Sequence, residues 1–100
     1  MMNLRYRFEL RRCVPMAEAL MTLRLSGIAV EGLLGAGSAA GEAHSSEQID
    51  FKRRRITVDG STIVGAMLAR IFYAFLQREF GRRAICVRML RTRPTKGCKR

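Results

Sequence analysis

The chain has 100 residues, 48% of them apolar and 27% charged, with a formal net charge of +11. That length allows one small domain, or part of a larger one, with a thin hydrophobic core. No apolar run reaches the roughly 18 residues that a bilayer-spanning helix requires, so no transmembrane helix is expected.

The charge is unevenly distributed. Residues 1–12 carry +3, residues 13–51 carry −4, and residues 52–100 carry +12. So basic a second half points to a polyanion, either nucleic acid or an acidic membrane surface. The cysteines Cys13, Cys86 and Cys98 form no C-x-x-C pair. Their odd number points to free thiols in a reducing cytoplasm. His44 is the only histidine and lies far in sequence from every cysteine, so no metal or other cofactor is expected. Residues 13–41 faintly resemble an export signal, but Glu18, Arg24 and Glu31 interrupt its apolar region.

In chain order, Leu4, Tyr6, Phe8 and Leu10 alternate with Arg5, Arg7, Glu9 and Arg11, which predicts a strand over 3–12 with its aromatic residues buried. Pro15 interrupts, and Ala17 to Met21 either starts a short helix or continues extended. Thr22, Arg24 and Ser26 then alternate with Met21, Leu23 and Leu25, predicting a second strand over 20–31 with a bulge at Gly27. From Gly32 to Glu47 the composition turns small and glycine-rich, and a long flexible loop is expected.

Ile49, Phe51, Ile56 and Val58 flank Lys52-Arg53-Arg54-Arg55, a pattern that reads as a short hairpin or edge strand with a basic tip. The clearest element follows. Ile63, Val64, Met67, Leu68, Ile71, Phe72, Phe75 and Leu76 paint one stripe on a 3.6-residue helix, with Ser61 or Asp59 as N-cap and Gly81 at its end. Gly60-Ser61-Thr62 is then a glycine-led loop delivering a helix N-terminus, which suits an anion. Ala84 to Leu90 reads as a returning strand, and 91–100 as a disordered basic tail.

The sequence from Leu34-Gly35-Ala36-Gly37-Ser38 through Asp50–Val58 to Gly60-Ser61-Thr62-Ile63-Val64-Gly65 resembles the N-terminal part of the RAMP superfamily of CRISPR effector backbone proteins. It is most similar to the repeated crRNA-binding subunit of type III complexes. Those proteins show an "hIGxG" loop, an acidic loop, and "PGSSLKGxxR" opening the first long helix of an RRM-like fold. The resemblance covers residues 23–90. Asp59, Val64 and Leu68 stand where the family has Pro, Lys and Arg, so two RNA-facing cations are missing. Counting back to the position of the family's cleaving Asp reaches His44, which could act as a general base but is expected to be an exposed loop histidine without a partner, and RNA cleavage is not carried over.

The resemblance implies an α/β, partial ferredoxin-like (RRM-like) domain over 1–90, with three or four strands and one long amphipathic helix. It implies a structural, non-enzymatic subunit in antiviral defence that binds single-stranded crRNA beside other effector subunits, copies of itself among them. Its phosphate contacts would be Lys52, Arg53, Arg54 and Arg55 together with Gly60, Ser61 and Thr62, with Arg70 substituting for a missing cation. Family members are longer than this chain, which implies a truncated or reduced version. The residues also allow a basic module that docks its amphipathic helix on a partner or an acidic membrane, or a truncated chain without independent function. No catalytic constellation is present in the sequence.

Overall fold

A computed structural model of the chain describes residues 3–35 and 47–92. The elements run β1 (Asn3–Leu10), α1 (Met16–Leu34), β2 (Glu47–Asp50), β3 (Arg55–Asp59), α2 (Ile63–Phe80), a single 3-10 turn (Arg82–Ala84) and β4 (Ile85–Thr92). The result is an α/β layer structure, a four-stranded antiparallel sheet in the order β2-β3-β1-β4 with two helices. β1 is central: Phe8 stands opposite Ile56 on β3 and Val87 on β4. No helix among the described residues is long and apolar enough to cross a membrane.

The alternation in β1 works as expected, because period two sends Phe8 and Leu10 into the core and Arg5, Arg7 and Glu9 to the other face. Phe8 is 1% exposed and its ring meets Phe72 of α2 edge-on, with centroids 4.9 Å apart. Tyr6 packs half-buried against the same core. Edge-to-face contact sets the positive ring edge against a negative ring face and joins the sheet to the helix layer.

The strand expected over 20–31 is instead part of α1, so the domain has two helices and not one. Its buried positions are Ala19, Thr22, Leu23, Ser26 and Val30, a spacing of three and four. The inward face is thus rich in small and hydroxylated residues, while Met21, Leu25 and Ile28 point outward. The hydroxyls are compatible with a helix because each finds a carbonyl one turn back. Ser26 Oγ donates to Thr22 O at 2.7 Å. Thr22 Oγ1 lies 3.0 Å from Glu18 O and 2.6 Å from Glu79 Oε1 on α2, and its one proton serves either acceptor. Gly32, Leu33 and Leu34, expected in the loop, complete the helix. Gly35 follows it, Glu47 opens β2, and residues 36–46 of the expected loop, His44 included, lie outside the described residues.

In α2 the inward line is Gly65, Leu68, Ala69, Phe72 and Leu76, turned from the expected stripe so that Ile63 and Phe75 are exposed. Thr62, not Ser61 or Asp59, is the N-cap, its hydroxyl accepting from Gly65 N at 3.0 Å. Gly81 ends the helix at φ +91, a conformation that favours glycine, and its N–H donates to Gln77 O. Arg91 and Thr92, expected in the tail, belong to β4. Residues 93–100 lie outside the described part.

A helix over 16–34 makes an unusual demand: the serine, and not its apolar neighbours, is the intolerant position. Ser26→Leu should destabilise the protein by about 1–3 kcal/mol in urea denaturation through overpacking, with Ser26→Ala near neutral. A fully stable Ser26→Leu protein would restore the strand, on which residue 26 faces water.

Candidate nucleic-acid interface

The strand order brings three connections to one end of the sheet. The β1–α1 connection (11–15), the β2–β3 turn (51–54) and the α2–β4 connection (81–84) all meet there. Leu10 N donates to Arg54 O and Arg11 N to Ala84 O, both at 2.9 Å, so the backbone itself ties the three together. These connections carry Arg11, Arg12, Lys52, Arg53, Arg54, Arg82 and Arg83 and no carboxylate. Asp50, Glu18 and Glu79 flank them on the adjoining elements. Six of the seven cations are exposed. A hollow of about 650 Å³ opens at this end, lined by Arg11, Arg82, Arg83 and Phe80 with the free thiols Cys13 and Cys86.

The half-buried member is Arg54, which holds the end together. It adopts φ +57, and its guanidinium Nη2 donates to Arg11 O at 3.0 Å and to Val14 O. Its Nε is buried without a hydrogen-bond partner. Arg54 is therefore a structural cation. Lys52 and Arg53 stand exposed beside it, the Arg53 N–H capping the turn by donating to Asp50 Oδ1 at 3.1 Å. Arg55, the first residue of β3, turns to the open face of the sheet, where Glu9 Oε2 lies 3.5 Å from Arg55 Nε and from Arg7 Nη1, and 4.0 Å from Arg88 Nε. One carboxylate among three guanidinium groups leaves that cluster with a surplus of positive charge, while Asp59 and Asp50 share the same face of the sheet.

The arginine run and the helix cap do not share a pocket. Arg55 opens β3 and Asp59 closes it, so Ser61 is about 20 Å of extended chain away, at the opposite end of the sheet. At the cap, two of the three amides expected to hold phosphate, those of Gly60 and Ser61, are already engaged. Gly60 N donates to Leu4 O, Ser61 N to Asp59 Oδ1 and Gly65 N to Thr62 Oγ1, so these amides already have acceptors. Gly60 is needed for packing: a Cβ there would meet Tyr6 Cδ2 at 2.7 Å and Cε2 closer still. Arg70 is exposed in the middle of α2, apart from both groups. Of the expected contacts, then, Lys52 and Arg53 belong to the basic end, Arg54 supports it, and the other five lie elsewhere. Arg11, Arg12, Arg82 and Arg83 were missed. Their paired-arginine spacing next to a strand end and a helix end was the available signal.

The Asp59 carboxyl is held below the ordinary aspartate value, first by the Ser61 hydroxyl at 2.7 Å, then by the Ser61 N–H, with Arg5 adding attraction against a small opposing effect of burial. Among the described residues no three His, Cys, Asp or Glu side chains gather as a metal site would need. Comparison with protein-family models, with curated proteins and with solved structures finds no match to the chain.

Two outcomes follow from this geometry. Arg54→Ala should cost about 1–3 kcal/mol of stability by removing the donor to the part-buried Val14 carbonyl and the side chain that spans to Arg11, while Arg53→Ala should change stability by less than about 0.5 kcal/mol; equal urea midpoints for the two variants would remove the structural role. A depressed folded-state pKa stabilises fully above the unfolded aspartate value and is lost as pH falls through the lowered one. Ser61→Ala should accordingly move the Asp59 NMR titration midpoint upward and narrow that window.

Proposed function

We propose that the chain is a ferredoxin-like, RRM-like domain that binds the phosphates of single-stranded RNA at its basic end, without cleaving it. The observation that carries the reading is the meeting of Arg11, Arg12, Lys52, Arg53, Arg82 and Arg83 from three separate connections. Exposed cations gathered without carboxylates repel one another, and a polyanion relieves that repulsion while releasing its own counterions. The element order and the strand order β2-β3-β1-β4 are those of a ferredoxin-like fold, which supports the RRM-like description.

RRM-type domains stack bases on aromatic residues of the open sheet face. Here the described strand residues of that face include Arg5, Arg7, Glu9, Arg55, Thr57 and Arg88 and no aromatic one, and the ring beside it is exposed Phe51 of the β2–β3 turn, which lines a hollow with Arg7, Arg55 and Thr57. Contact through backbone phosphates, with little base readout, is the mode this surface favours. A role as a crRNA-holding backbone subunit is the narrower form of the proposal and rests on the motif resemblance alone. Two features weigh against it. The Gly-Ser cap opens the second helix of the domain, and the segment leading to Gly35 is a helix where the family has a strand.

An electrophoretic shift with short single-stranded RNA across a salt series tests the proposal. Each lost phosphate contact should reduce the log–log salt slope by about 0.7, so Arg82→Ala with Arg83→Ala should lower it by about 1.4. Ser61→Ala should leave binding unchanged. A slope indifferent to the arginine pair, or a preference for anionic vesicles over RNA, sinks the reading.

A further inference from the structure

The outward face of α1 is not used by the basic end. Met21 is 57% exposed, Leu25 52% and Ile28 64%, a row of large apolar side chains on a helix whose inward face mixes Leu23 and Val30 with Ala19, Thr22 and Ser26. With about 100° per residue, Ala17, Met21 and Ile28 lie along the outermost line, Leu25 and Gly32 on one flank, and Arg24 and Glu31 on the other. No ion pair reaches Arg24 or Glu31 among the described residues, and a separation of seven residues places them about 10 Å apart along the axis, too far to pair with each other. A Cβ added to Gly27 or to Gly32 would meet nothing within 4 Å. Glycine inside a helix costs about 1 kcal/mol relative to alanine, and no contact among the described residues accounts for either one.

From this pattern we infer that a second copy of this chain packs on α1, with the two helices antiparallel about a twofold axis passing between Gly27 and Ile28. That axis matches residue i with residue 55 − i, so Arg24 of each copy faces Glu31 of the other, on the same rim. Ile28 meets its own symmetry mate at the centre, and Gly32 offers the gap into which Met21 and Leu25 of the other helix fit. The face is self-complementary in shape and in charge, as a closed dimer interface must be. The hollow between α1 and α2, about 250 Å³ and lined by Leu25, Phe75, Thr22, Arg78 and Glu79, extends the same surface. Because the helices are antiparallel, the two basic ends point away from each other and both stay open to RNA. The inference does not depend on RNA binding.

Sedimentation equilibrium of the full chain, with circular dichroism confirming that each variant is folded, tests it. The parent should be dimeric, and Ile28→Lys should be monomeric at the same concentration with unchanged helicity. Arg24→Glu should raise the dimer dissociation constant about tenfold by setting like charges together, and the double variant Arg24→Glu with Glu31→Arg should return it to the parent value. Ile28→Cys in a background with all three native cysteines changed to Ser should form an interchain disulfide on oxidation, as expected for a residue beside a twofold axis. A parent that stays monomeric, a dimer indifferent to Ile28→Lys, or a charge swap without rescue overturns the inference. Ile28-dependent sedimentation with anionic vesicles in place of dimerisation overturns it as well.

Discussion

A single arginine holds the basic end in place. Arg54 sits in a left-handed turn and sends its guanidinium across to the carbonyls of Arg11 and Val14. The β1–α1 connection passes through Pro15, which has no N–H, and it makes few bonds of its own. Without Arg54 the Val14 carbonyl would lose its side-chain donor beside a fully buried side chain, while Arg11 O would keep the Val14 N–H. A cation donating to neutral carbonyls keeps its charge, so this support adds to the potential of the surface it stabilises.

The two faces of positive charge differ in kind. On the open sheet, Arg7, Arg55 and Arg88 converge on Glu9, and much of their charge is answered inside the protein. At the end of the sheet the arginines and Lys52 extend from turns into water, and no ion pair answers them among the described residues. Water screens that crowding well enough for the fold to tolerate it. The crowding is nevertheless the feature that a phosphate chain would relieve, which is why the end and not the face carries the functional reading.

The helix layer shows the same separation between what stabilises the protomer and what is left over. Thr22 and Ser26 turn inward and bond to carbonyls one turn back, so α1 approaches its neighbours through small groups. Thr22 also bridges to Glu79 on α2. Leu23 and Val30 of α1 enter the core, while Met21, Leu25 and Ile28 are left more than half exposed on its outer surface.

Several elements could be read from the residues alone because their signals are local. β1, the β2–β3 hairpin, α2 and β4 follow from alternation, a basic turn and helical spacing, and the glycine ending α2 follows from its conformational freedom. The helix α1 was hidden because Met21, Leu23 and Leu25 happen to alternate with Thr22, Arg24 and Ser26. Whether a hydroxyl faces inward depends on the elements packed around it, which periodicity does not record. The surplus of positive charge was likewise a matter of counting. Its location was not, because residues 11, 53 and 83 meet only when β1 lies between β3 and β4. Strand order is a long-range choice made by the packing of the whole sheet, and it joined cations seventy residues apart, whereas the extension of β3 alone set Arg55 and Ser61 at opposite ends of the sheet.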